Sequence, residues 1–136
     1  MEYERTQEKT EVLYQIYKKG LEEGRFSSMR DACRYICKQP APCFYISGKW
    51  ASIYIGQIEA GISLMGFSTN MARKLKQLYA NYKKYCSEHS DEILPREHIM
   101  DILVEQPAPE FYMTPNAVRK VLRKALWKVR RKYGLD

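Results

Sequence analysis

The chain has 136 residues, 45% hydrophobic and 29% charged, with a net charge of +7. That length fits one compact domain or two very small ones, and the composition excludes wholesale disorder. No run of eighteen apolar residues appears, which excludes a spanning helix and a membrane partner, and the basic balance favours a polyanionic partner such as nucleic acid over an acidic small molecule.

Met1-Glu2-Tyr3-Glu4-Arg5 lacks the apolar core of a signal peptide, so a soluble, cytoplasmic protein is expected. The first helix is predicted over Thr6 to Glu23, with Val12, Leu13, Ile16, Tyr17 and Leu21 on one face and Gly24 as its C-terminal cap. A second helix opens at Ser27-Ser28 and presents Met29, Ala32, Cys33, Ile36 and Cys37 at helical spacing. Cys33 and Cys37 lie one turn apart among apolar residues, as reduced core thiols do. A zinc site would want a fourth ligand near Cys33, Cys37 and Cys43, and no histidine lies there, so neither a metal nor a cofactor is expected.

Gln39-Pro40-Ala41-Pro42-Cys43-Phe44-Tyr45 then ends the helix, because neither proline donates a backbone hydrogen bond and each disfavours helical geometry in the residue before it. The same heptapeptide returns sixty-seven positions later as Gln106-Pro107-Ala108-Pro109-Glu110-Phe111-Tyr112, identical at six of seven residues. Upstream, Leu13-Tyr14, Tyr17 and Lys18-Lys19 recur as Leu78-Tyr79, Tyr82 and Lys83-Lys84 at an offset of sixty-five. The chain therefore reads as an internal duplication, in which shared features are structural and unshared ones are candidates for function. Occurrence at the same place in both copies favours a structural turn, with a ring of Phe44-Tyr45 and of Phe111-Tyr112 plugging the core, over a ligand for a proline-recognising domain. Short strands over Cys43 to Ile46 and Glu110 to Met113 could pair as a ribbon.

A third helix begins after Ser47, and Trp50, Ile53, Tyr54, Ile55 and Ile58 with few charges predict that it is buried. Gly61 to Asn70 holds the linker. The second copy's first helix follows Asn70 with Leu75, Leu78, Tyr79, Tyr82 and Cys86 on one face, and Pro95 is placed in the first turn of its second helix. There Arg96, Ile99, Met100, Leu103 and Val104 replace the five core positions of the first copy. The expected fold is all-α: two tandem trihelical, helix-turn-helix-like units, residues 1–64 as scaffold and residues 65–136 carrying the basic C-terminal helix, packed into one compact body.

The third helices differ most. The one that opens at Thr114-Pro115 carries Arg119, Lys120, Arg123, Lys124, Lys128, Arg130, Arg131 and Lys132, with no acidic residue between Phe111 and Leu135. On a wheel of about 100° per residue, Val118, Val121, Leu122, Ala125, Leu126 and Val129 form one arc, and Trp127 falls among the cations. Cations near the C-terminus suit the helix dipole, but Arg119 and Lys120 in the first turn do not. An indole ringed by cations can stack on a base or sugar.

Helices joined by a turn, the last one basic, have the layout of a helix-turn-helix DNA-binding domain, although the connector of about eight residues exceeds the usual three to four. By that analogy Asn116, Arg119, Lys120 and Arg123 approach base edges, while Lys124, Lys128, Arg130 and Arg131 hold phosphates. The expected function is that of a small nucleic-acid-binding protein, DNA favoured over RNA, as a regulator or accessory factor of a phage or mobile element. The alternative is an adaptor or assembly subunit that turns the basic face and Trp127 to a protein partner or a second copy of the chain. Catalysis is not expected: His89 and His98 read as surface residues, none of the eleven tyrosines has an activating constellation, and no phosphate loop, dinucleotide fingerprint or nucleophile elbow appears.

Overall fold

The computed structural model describes residues 2–134 and contains six helices: α1 (Glu2–Glu22), α2 (Met29–Ile36), α3 (Gly48–Glu59), α4 (Thr69–Glu88), α5 (Arg96–Leu103) and α6 (Pro115–Lys132). The all-helical expectation holds among the described residues. Helix ends follow the local chemistry. The Ser28, Ser47, Ser68 and Thr114 side chains each accept a hydrogen bond from a backbone N–H of the first turn that has no helical partner. Gly24, at φ 64°, closes α1, with its N–H bonded to the Leu21 carbonyl. Pro95 caps α5 rather than entering its first turn, and makes no side-chain cap bond.

The chain divides into two compact units that do not follow the repeat. A central unit comprises Pro40–Ala108, and a terminal unit joins Met1–Gln39 to Pro109–Asp136. The expected boundary between residues 64 and 65 therefore does not describe the packing. In the terminal unit α6 packs against α1 and α2; in the central unit α3 packs against α4 and α5. The terminal unit thus joins α1 and α2 to α6, and the central unit joins α3 to α4 and α5.

The proline connector accounts for this arrangement. Its two prolines keep the chain extended after α2, so α3 is carried away instead of folding back. Ala41 pairs antiparallel with Ala108 through reciprocal bonds of 3.0 and 2.9 Å, and the Phe44 N–H donates to the Val104 carbonyl at 2.9 Å. These bonds fasten the first connector to the end of α5 and deliver α3 to that helix. Pairing thus falls at Ala41 and Ala108, earlier than the strands expected over Cys43 to Ile46 and Glu110 to Met113. Tyr45 and Tyr112 turn the chain at φ 54° and 55°, a left-handed geometry uncommon for side chains of their size, and Phe44 and Phe111 are each 1% exposed, as core plugs should be.

Core positions repeat across the sixty-seven-residue shift. Ala32, Cys33, Ile36 and Cys37 are buried in the terminal unit, and Ile99, Met100, Leu103 and Val104 in the central one. Gly20 sits under the Phe26 ring, where a Cβ would collide with it, and Phe26 stacks on Tyr17 of α1 and meets Tyr35 of α2 edge-on. Burial of the third helices departs from expectation in one case. Trp50 and Ile53 of α3 are 47% and 40% exposed, and of the five apolar residues expected inside only Ile55 is fully buried. Gly48, Ala51, Ser52 and Ile55 form the buried stripe instead.

Candidate nucleic-acid interface

Three side chains, Val118, Leu122 and Ala125, bury α6 against the rest of the terminal unit, with Val121, Leu126 and Val129 half-buried beside them. The remaining surface is polar and open. Asn116, Arg119, Lys120, Arg123, Lys124, Trp127, Lys128, Arg130 and Arg131 are all exposed. None of these cations is ion-paired with a carboxylate among the described residues. Trp127 is 53% exposed, and the Arg131 guanidinium lies 4.9 Å from the centre of its ring. That contact holds the indole at the surface between cations, where a base or sugar face can reach it.

The helix begins at Pro115, so its first turn has no charged residue and Arg119 and Lys120 belong to the second turn. The dipole therefore opposes them less than a first-turn position would imply. At about 100° per residue Arg119, Arg123 and Arg130 share one flank of α6. This flank meets α2: the Arg119 charge acts on the Cys33 thiol and lowers its pKa, against the larger effect of burial, which raises it above 9.0. Burial likewise pushes the Cys37 thiol up. Cys33, Cys37, Cys43 and Cys86 are all free, and no group of metal-ligating side chains occurs among the described residues.

Sequence reading passed over a second row of cations. Arg30, Arg34 and Lys38 are exposed along α2 and the turn after it, four residues apart, and none is ion-paired with a carboxylate among the described residues. Cys33, which Arg119 reaches, is next to Arg34 and three residues from Arg30. The signal is present in the sequence, because the shift of sixty-seven that aligns the apolar positions of this helix also aligns its charges.

Charge is divided unequally. The terminal unit has sixteen lysines and arginines against nine aspartates and glutamates, the central unit seven against seven, so the whole net charge of +7 belongs to the terminal unit. In the central unit one arginine is consumed internally. Arg96 of α5 donates to Ser52 Oγ at 3.3 Å and pairs with Glu59 at 3.2 Å, lying across Gly56 of α3. Burial raises the Tyr82 pKa beside this cluster, followed by the hydrogen bond to Cys86. His98 is exposed, and His89 is stacked on Tyr85 at 4.0 Å.

No helix is long and apolar enough to cross a membrane. No protein-family model matches the sequence, and no curated protein or solved structure matches it.

Proposed function

We propose that this chain is a nucleic-acid-binding protein, with DNA favoured over RNA, whose interface is α6. Its two units descend from duplication of a trihelical ancestor, with the third helices exchanged. The observation that carries the reading is the exposed cation face of α6: eight lysines and arginines, no carboxylate from Asn116 to Gly134, and an exposed Trp127 among them. A polyanion neutralises such a face and releases counterions in doing so, which makes binding salt-sensitive. Asn116, Lys120 and Arg123, towards the helix N-terminus, are suited to base edges, and Lys124, Lys128, Arg130 and Arg131 to phosphates.

Affinity for duplex DNA measured between about 50 and 200 mM salt is the test, with a loss of about 10³-fold or more expected when six or more phosphates are contacted. Reversing Arg119, Arg123 and Arg130 to Glu should remove binding and leave the helical circular dichroism unchanged. A flat salt response rejects the reading. If Trp127 fluorescence is shielded from quenchers in a nucleic-acid-free oligomer, the face serves a protein partner instead.

A further inference from the structure

We propose that Arg30, Arg34 and Lys38 form a phosphate-contacting row which, beside α6, makes the terminal unit fit a B-form DNA duplex. The inference rests on the reading of α6 as the nucleic-acid interface and adds to it three residues and the form of the ligand.

The repeat supplies the first argument. Shifted by sixty-seven, Arg30, Arg34 and Lys38 become Glu97, Asp101 and Glu105, a reversal of sign at all three positions. All six residues are exposed, while the four core positions of each helix stay buried. The burial of the core positions is thus compatible with either sign on the exposed row. In α5 the Asp101 carboxylate lies against Gly48 of α3, whereas the basic row of α2 makes no ion pair with a carboxylate among the described residues. The basic row instead coincides with the unit that carries basic α6, and the acidic row with the unit of zero net charge.

Geometry supplies the second. α2 packs directly on α6, and the Arg119 charge is felt at the Cys33 thiol, next to Arg34 in the chain. The arginine flank of α6 and the row on α2 are thus neighbours on adjacent helices. Packed helix axes lie about 8–10 Å apart, and the row from residue 30 to residue 38 runs about 12 Å at 1.5 Å per residue. The major groove of B-DNA is about 12 Å wide and bordered by phosphates. A helix seated in that groove places a neighbouring helix over one bordering strand, the relation in which the first helix of a helix-turn-helix crosses the backbone. Here the two helices come from opposite ends of the chain. An A-form duplex has a major groove too narrow for α6, and a single strand offers no second backbone.

Self-association is the rival, since the basic row of one molecule could meet the acidic row of another. Exposed ion pairs are individually weak, so three of them contribute little to holding two proteins together. A polyanion, by contrast, gains counterion release at every contact.

The test uses the full chain and its R30A/R34A/K38A and R119A/R123A/R130A variants, with a mixed-sequence DNA duplex of about 20 base pairs, one of its strands alone, and the matching RNA duplex as probes. The residues changed in α2 are exposed and make no ion pair among the described residues, so melting temperature should be preserved. The expected result is a salt slope for duplex DNA shallower by about 2.7 in the α2 variant, at about 0.9 per phosphate. Across a fourfold change in salt this makes the loss of affinity roughly 40-fold smaller than in the parent. An unchanged slope in the α2 variant, with binding still lost in the α6 variant, overturns this proposal and spares the reading of α6. Equal affinity for the RNA duplex or the single strand overturns the B-form assignment. A salt-sensitive dimer that the α2 variant abolishes, with DNA binding unchanged, assigns the row to self-contact. If the parent binds none of the probes, the reading of α6 falls and this one with it.

Discussion

The helices α2 and α5 bury the same four positions and expose opposite charges, and the third helices diverge in the same direction. Gly48, Ser52 and Gly56 of α3 become Pro115, Arg119 and Arg123 sixty-seven residues later. In the central unit these small residues let α5 approach: a Cβ on Gly48 would fall 2.9 Å from the Asp101 Cα, and one on Gly56 would fall 2.6 Å from Arg96 Nη2. In the terminal unit the corresponding arginines face solvent. The central unit has closed α3 onto α5 and satisfied Arg96 internally. The terminal unit leaves the arginines of α6 exposed, with no ion pair to a carboxylate among the described residues. A shared core thus tolerates two opposite surfaces, and the basic one is the surface proposed to bind nucleic acid.

The largest expected effects test the shared part of this comparison. Phe44→Ala and Phe111→Ala each remove a buried ring, at a cost of about 3–5 kcal/mol. Urea unfolding followed separately in the two units should give similar losses for the pair. A cost below about 1 kcal/mol in one unit would mean that the two plugs are not equivalent, and the comparison would lose its frame.

A smaller effect tests the divergence. Gly56→Arg places on α3 the residue that α6 carries, forcing a side chain into the space of Arg96, with an expected cost of about 1–3 kcal/mol. The reciprocal Arg123→Gly, at an exposed helical site, should cost about 1 kcal/mol from helix propensity alone. Measured by the same unfolding curves, equal costs would show that α3 and α6 are packed alike after all.

Much of the fold was legible because its determinants are local. Ser28, Ser47, Thr114 and Gly24 mark ends through chemistry confined to one turn, and the arc of Val118, Leu122 and Ala125 is fixed by helical period. The packing of α6 on α1 and α2, and of α3 on α4 and α5, was not legible. Periodicity states which face of a helix is buried and says nothing of which helix buries it, and the two third helices have similar apolar arcs. Trp50 and Ile53 misled for a related reason: apolar residues around most of a helix suggest enclosure, but α5 can cover only the side where Gly48, Ser52 and Gly56 permit close approach. The cations of α6 were found by their density. Those of α2 were overlooked because three charges spaced by four residues are ordinary on a helix surface, and only their reversal in α5 sets them apart.

That reversal allows the finest test, at a single position. Arg30→Glu and Glu97→Arg are mirror-image substitutions at equivalent exposed sites. Each changes the net charge by the same magnitude, so any effect of overall charge on DNA binding must be equal and opposite in the two variants. An effect of position need not be. With α2 over a phosphate strand, Arg30→Glu should lower the salt slope by about 0.9. Glu97→Arg should leave the slope unchanged while costing about 0.3–1 kcal/mol of stability, because a carboxylate in the first turn of α5 is favoured by the helix dipole. If Glu97→Arg steepens the slope as much as Arg30→Glu flattens it, binding responds to net charge rather than to a built surface. The asymmetry between the two units would then be an accident of where the lysines and arginines fell. Unequal responses at matched positions can come only from a ligand that lies against one unit and away from the other.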